Sequence, residues 1–241
     1  MSESAASAAR RAQIIEATIE TIAEVGYART TFARIATRGG LSSTRLISYH
    51  FAGKTALMQA VITDVYASIN EFLITRAGGD PATRPIRYPA DRPVDDHPGS
   101  AAAELNAYIT GIVAYVDDHR TRMRALQSIF AALHDDPDNP ATQQADPQRT
   151  VMAHLQDLLR RGQDRGEFRD FDPLVIAALV QRSLEGLIRL LDSTPDTDLT
   201  RYADELVIAI DLATRRGTGR SSRARRPVHP SAPPPRASPQ L

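Results

Sequence analysis

Apolar residues return every three or four positions along almost the whole chain, and no segment alternates apolar with polar long enough to make a half-buried strand. This confines the chain to an all-α fold, with about nine helices. Ile14, Ile15, Thr18, Ile19, Ile22 and Val25 mark a first helix over about 7–25. Phe32, Ile35 and Ala36 mark a short second helix that Thr31 can cap. Leu46, Ile47 and Phe51 mark a third, ending near His50, that either Ser42 or Ser43 can cap. Gly26, Gly39, Gly40 and Gly53 stand where these helices must stop. A fourth, longer helix opens at Lys54 and reaches about Arg76 through Leu57, Val61, Val65, Ile69 and Phe72.

Residues 77–100 hold five Pro and three Gly in 24 positions and read as a long loop. A fifth helix carries Leu105, Ile109, Ile112 and Val116, and a sixth Met123, Leu126, Phe130 and Leu133. After a Pro- and Asp-rich stretch over 134–145, Asp146-Pro147 and Asp172-Pro173 repeat one start signal, a carboxylate cap followed by a residue with no N–H. The seventh helix carries Val151, Leu155, Leu158 and Leu159. The eighth, Leu174 to Leu191, is apolar nearly all round except at Gln181, Arg182, Glu185 and Arg189, which implies cover on several sides. A ninth runs from about Asp198 to Arg216. From Gly217 onward Pro, Ser and Arg dominate, the composition of a disordered tail.

The absence of cysteine excludes disulfide scaffolds, thiolate metal sites and Cys nucleophiles. No apolar run approaches the roughly 18 residues of a membrane span, and no signal core follows Arg10 and Arg11, so the expected location is cytoplasmic, with no membrane partner. The net charge of zero conceals segregation. Residues 1–54 hold 7 basic and 4 acidic residues (net +3), 55–214 hold 15 and 25 (net −10), and 215–241 hold 7 and none (net +7). A polyanion would therefore meet the ends and avoid the body. Of the 29 basic residues, Lys54 alone is Lys.

The second and third helices, joined by a tight Gly turn and preceded by a packing helix, make a helix-turn-helix. The outward residues Ser42, Ser43, Thr44, Arg45, Ser48 and Tyr49 can all bond phosphates or base edges, and none is acidic. Arg45 is the candidate for a bidentate guanine contact, and Tyr49 and His50 for phosphate. A packing role for Tyr49 and a structural one for His50 stand beside that. Thr31 and Lys54, each opening a helix, are placed to clamp backbone phosphate. A cation at a helix N-terminus opposes the dipole, which favours an external phosphate as the partner of Lys54.

These residues carry a resemblance to the TetR family of transcription regulators. Its motifs are Thr30-Thr31-Phe32-Ala33-Arg34-Ile35-Ala36, Gly40-Leu41-Ser42, Tyr49-His50-Phe51 and Lys54-x-x-Leu57, and the match covers about residues 10–60. The chain departs from the family pattern in having one more residue between Gly40 and Phe51, Gly39 where Ala is usual, a longer 77–100 loop and a basic tail. The resemblance implies a DNA-binding domain over 1–54, a helical ligand-binding and dimerisation domain over 55–216, and double-stranded operator DNA, a small-molecule effector and a second copy as partners. The function it implies is a repressor released from its operator by ligand. An alternative is a dimeric ligand-binding protein whose helix-turn-helix does not bind DNA.

Between the fourth and eighth helices, Tyr108, Ile112, Met123, Gln127, Phe130, Met152 and Ser183 are candidates to line an effector pocket, beside the plainer reading of core residues at helical spacing. Leu179, Gly186, Leu187, Tyr202, Leu206 and Ile210 are candidates for a dimer interface. Asp117-Asp118-His119 and His134-Asp135-Asp136 have metal-ligand composition, but their histidines are 15 residues apart, roughly 22 Å along a continuous helix. No metal or cofactor is expected. Nor does any nucleophile–base pair or phosphate loop support an enzyme.

Overall fold

The computed structural model describes residues 5–78, 99–134 and 147–216. The 217–241 tail, most of the 77–100 loop, and Asp135, Asp136 and Asp146 lie outside them. The described chain is helical throughout: α1 (Ala5–Val25), a 3₁₀ turn (Tyr27–Arg29), α2 (Phe32–Arg38), α3 (Arg45–His50), α4 (Lys54–Arg76), α5 (Ala101–Asp118), α6 (Arg120–His134), α7 (Pro147–Asp164), α8 (Pro173–Glu185), α9 (Leu187–Ser193) and α10 (Leu199–Thr214). The only extended pairing among the described residues is a single antiparallel bridge between Phe168 and Arg215.

The N-terminal stripe folds as its period requires. Ile14, Ile15, Thr18, Ile19 and Ile22 are buried on α1, and Ile35, Ala36, Ile47 and Phe51 close over them. Thr31 caps α2, its hydroxyl accepting from the Arg34 N–H at 3.3 Å. The end of α2 is a Schellman motif, with Leu41 N–H on the Ala36 carbonyl at 2.9 Å and Gly40 N–H on Thr37 at 3.3 Å. Gly40 makes this possible at φ +60. Gly39 packs closely on α1, where a Cβ would meet that of Ala17 at 3.0 Å.

Two expectations need correction. Neither Ser42 nor Ser43 caps α3: the N-cap position is Thr44, in helical backbone conformation and without a side-chain cap bond. The first turn of α3 is tight, Leu46 N–H reaching the Ser43 carbonyl and Ile47 N–H that of Thr44. The expected eighth helix is divided at Gly186, which keeps helical angles (φ −71, ψ −14) but, as glycine, lets the axis kink.

In the body, α10 packs along α5, α8 along α7, and α1 along α6. Gly111 lets α4 approach α5, because a Cβ there would strike Leu73 at 2.4 Å. Glu167, in the turn after α7, caps α5 from outside: its carboxylate accepts from the Ser100 hydroxyl at 2.6 Å and the Ala102 N–H at 3.2 Å. Partial burial pushes its pKa up, but the bonds from Ser100 and from the Ala101 and Ala102 N–H groups, with the charge of Arg165, hold it below the ordinary glutamate range.

Two outcomes follow. Gly40→Ala places a Cβ in the left-handed region and should cost about 1 to 2 kcal/mol in urea denaturation. Glu167→Gln should cost about 0.5 kcal/mol at neutral pH, a low figure for a cap because solvent screens it. A folded pKa below the unfolded one stabilises above the ordinary glutamate range and ceases to as pH falls through the lowered value. The wild-type and variant denaturation midpoints should therefore converge in acid.

Candidate nucleic-acid interface

Two helices too short to stand alone, α2 and α3, make the N-terminal surface, and α1 fixes the C-terminal end of each. Gln13 donates its amide to the Gly39 carbonyl at 2.7 Å, closing the C-terminal end of α2. Arg11 donates to the His50 carbonyl at 3.0 Å and lies 4.4 Å over the Phe51 ring, closing the end of α3. Arg38 pairs back to Glu20 and Glu24 on α1. Sequence reasoning missed Gln13 and Arg11 in this role; the signal was a polar residue one turn outside the apolar stripe of α1, visible only once its partners are known.

What remains outward is uncharged or basic. Ser42, Ser43, Thr44, Arg45, Ser48 and Tyr49 are all exposed, and Thr31 is exposed beside them at the start of α2. Tyr49 is 82% accessible, which removes the packing reading for it. Its ring meets His50 edge-on at 5.1 Å, and His50 is half-buried at the end of α3. Arg45 and Tyr49 stand four residues apart and so share one face of α3. Among the described residues, Arg45 takes part in no ion pair or hydrogen bond.

Lys54 is placed differently from the expectation. Its ammonium turns back to the Tyr27 carbonyl at 3.1 Å and sits 4.1 Å over the Tyr27 ring, half-buried, and burial pushes its pKa below the ordinary lysine value. A carbonyl and an aromatic face thus supply, inside the protein, partners for a cation that opposes the helix dipole.

The candidate effector residues lie on α5, α6, α7 and α8. Tyr108, Met123, Phe130 and Met152 are half-buried against the core, Gln127 is half-buried between Met123 and Phe130 on α6, and Ile112 is buried. Tyr108 bonds Gln181 on α8 at 3.3 Å, and Gln181, one of the polar breaks in the apolar run of that helix, is 8% exposed and bonds Glu185 at 3.0 Å. Ser183 does not join them. Two residues on from Gln181 it faces the far side of α8, its hydroxyl on the Leu179 carbonyl at 2.8 Å and its own carbonyl accepting from Tyr202 at 2.9 Å.

The interface candidates divide. Leu179 and Gly186 are exposed, Tyr202 and Leu206 half-buried, but Leu187 and Ile210 are buried within the chain itself and belong to its core. The exposed apolar residues that the sequence reading missed are Leu174, Val175, Ile208 and Leu212. Among the described residues no group of three or more His, Asp or Glu side chains is placed to hold a metal ion, and no helix is long and apolar enough to cross a membrane.

Residues 14–61 match the model of bacterial regulatory proteins, tetR family. The chain is 27% identical over 197 residues to the HTH-type transcriptional regulator BetI of Escherichia coli (strain K12), covering 80% of this chain and 91% of BetI. Its fold is shared with SmeT, the repressor of the Stenotrophomonas maltophilia multidrug efflux pump SmeDEF (TM-score 0.63, 19% identity, 86% of this chain and 91% of SmeT). It is shared also with AibR, solved in complex with isovaleryl coenzyme A and operator DNA (TM-score 0.62, 17% identity, 82% of this chain and 96% of AibR). Residues 14–61 thus carry a helix-turn-helix of the tetR-family kind, and the likeness to BetI and to these folds extends across most of the chain.

Proposed function

We propose that the chain binds double-stranded operator DNA as a homodimer, through Thr31 and the outward face of α3, and represses transcription until a small-molecule effector enters the helical body. The observation that carries the DNA reading is the outward face of α3. It is a row of hydroxyls with one unpaired guanidinium and one 82% exposed tyrosine, on a surface whose nearby acids Glu20 and Glu24 are already paired to Arg38. Arg45 reads guanine, Tyr49 and the hydroxyls of Ser43, Thr44 and Ser48 bond phosphate or base edges, and Thr31 meets the backbone at the start of α2. Lys54 acts through Tyr27 and holds α4 against the helix-turn-helix. The effector sits between α4 and α8, near Tyr108, Ile112, Met123, Gln127, Phe130 and Met152; that AibR was solved with both a coenzyme A thioester and operator DNA supports an effector-responsive reading.

The second copy is read from α8 and α10. On α8 the outward positions Val175, Leu179, Arg182 and Gly186 follow intervals of four, three and four, and on α10 so do Arg201, Glu205, Ile208 and Leu212. Each is a narrow stripe with an apolar half, Val175 at 60% exposure and Leu212 at 55%. Four such helices, two from each copy, cover one another. Two-fold symmetry then sets two α3 helices on successive major grooves, roughly 34 to 36 Å apart.

Duplexes enriched by the wild-type protein from a random-sequence pool give the test. Arg45→Ala should lose about 1 to 3 kcal/mol on the enriched duplex by fluorescence anisotropy and relax the preference at one base position; enrichment of no duplex would sink the reading. Leu179→Glu with Ile208→Glu should give a monomer in sedimentation equilibrium at micromolar concentration, and duplex affinity should fall with the dimer.

A further inference from the structure

The helix-turn-helix is closed off at a single point. Tyr27, the first residue of the 3₁₀ turn after α1, meets Lys54, the first residue of α4, by both carbonyl and ring. Every residue of α2 and α3 lies between those two. The same Tyr27 donates its N–H to the Ser128 hydroxyl of α6 at 2.9 Å. Gly26, at φ +80, brings the backbone there, its Cβ position only 3.8 Å from the Ser128 oxygen. About 9 Å back along α6, Arg122 donates one nitrogen to Asp64 of α4 at 2.6 Å and the other to Glu16 of α1. Burial acts against the Arg122 charge, but the two carboxylates outweigh it. The helix α6 therefore grips α1 and α4, the two helices that enter and leave the DNA-facing unit, and grips the point where that unit closes.

We infer that Ser128 and Arg122 are positioning residues for DNA recognition: without touching DNA, they set the orientation of α3 relative to the body, and through it the separation of the two recognition helices. This rests on the DNA-binding homodimer proposed above. Ser128 works by giving the Tyr27 N–H its acceptor. Without it a donor at the hinge of the unit is left unmet, and the turn is free to swing away from α6. Arg122 works by holding two carboxylates on two helices in one fork, so that α1 and α4 keep a fixed offset.

The experiment compares Ser128→Ala, Ser128→Thr and Arg122→Gln with wild type on the enriched duplex and on two versions with the half-sites one base pair closer and farther. Ser128→Ala and Arg122→Gln should lose roughly 2- to 30-fold in affinity at the selected spacing and discriminate less among the three. The slope of log affinity against log salt should stay unchanged, because no phosphate contact is removed. Ser128→Thr, which keeps the hydroxyl, should restore both affinity and discrimination. Wild-type affinity and spacing preference in Ser128→Ala and Arg122→Gln would overturn the assignment, and so would a shallower salt slope, which would mean direct contact with DNA. Hydrogen exchange of the free protein decides the point without DNA. Amides over 27–51 should exchange faster in Ser128→Ala while those of α7 and α8 are unchanged, and unaltered exchange over 27–51 would count against the inference even if no duplex were enriched.

Discussion

Helices of seven and six residues do not persist in water unsupported, because a nucleus that fixes three residues for one hydrogen bond is not repaid over so short a length. Everything α3 can present to DNA therefore depends on α1, which is 21 residues long and supplies what α2 and α3 lack. Ile14, Ile15 and Ile19 give the short helices a floor to bury Ile35 and Ile47 against, and Gln13 and Arg11 take the carbonyl ends that no intrahelical partner can reach. The outward side chains are then free of structural duty. That division, with packing and capping assigned to α1 and recognition to α3, is why so many hydroxyls can stand unburied on one small helix.

Much of this was legible in the sequence because helical period and glycine placement are local signals. The stripe of α1, the Thr31 cap, the Gly39-Gly40 end and the Asp172-Pro173 start each follow from residues within one turn of one another. Illegible were the features whose cause lies far along the chain. Lys54 reads as a phosphate ligand because the carbonyl and ring that it meets lie 27 residues away, on the other side of the helix-turn-helix. Gln181 is an isolated polar residue in an apolar run, and the side chain that bonds it in its buried place, Tyr108, lies 73 residues earlier. Leu187 and Ile210 share the apolar character of the exposed Leu179 and Ile208, and only the packing of α10 on α5 and the break at Gly186 decide which of them face outward.

On the proposed reading, an effector and a second copy would meet opposite faces of α8. Gln181 and Ser183 lie about 200° apart around the helix, the one directed at Tyr108 and α5, the other at Tyr202 and α10. A molecule that disturbed the Tyr108–Gln181 bond would act on the inner face of a helix whose outer face carries Val175 and Leu179. The break between α8 and α9 at Gly186 lies five residues from Gln181.

Any ligand shifts a conformational equilibrium only by its difference in affinity for the two states, and the usual scale for such coupling is about 1 to 3 kcal/mol. So small a free energy cannot be spent on unfolding α3 or on dissolving the core of α1, where Ile14, Ile19 and Ile47 are fully buried. It is sufficient to move one rigid unit against another across a seam held by a few polar contacts. The seam between α6 and the N-terminal domain has that character: apolar packing between α1 and α6, with Arg122 and Ser128 as its specific links. A displacement of α6 along its axis would carry Tyr27 and Lys54 together, because they hold each other, and the helix-turn-helix between them would follow without any change in its internal geometry. The same contacts would then serve affinity in one state and release in the other, and the face of α3 would need no alteration in either.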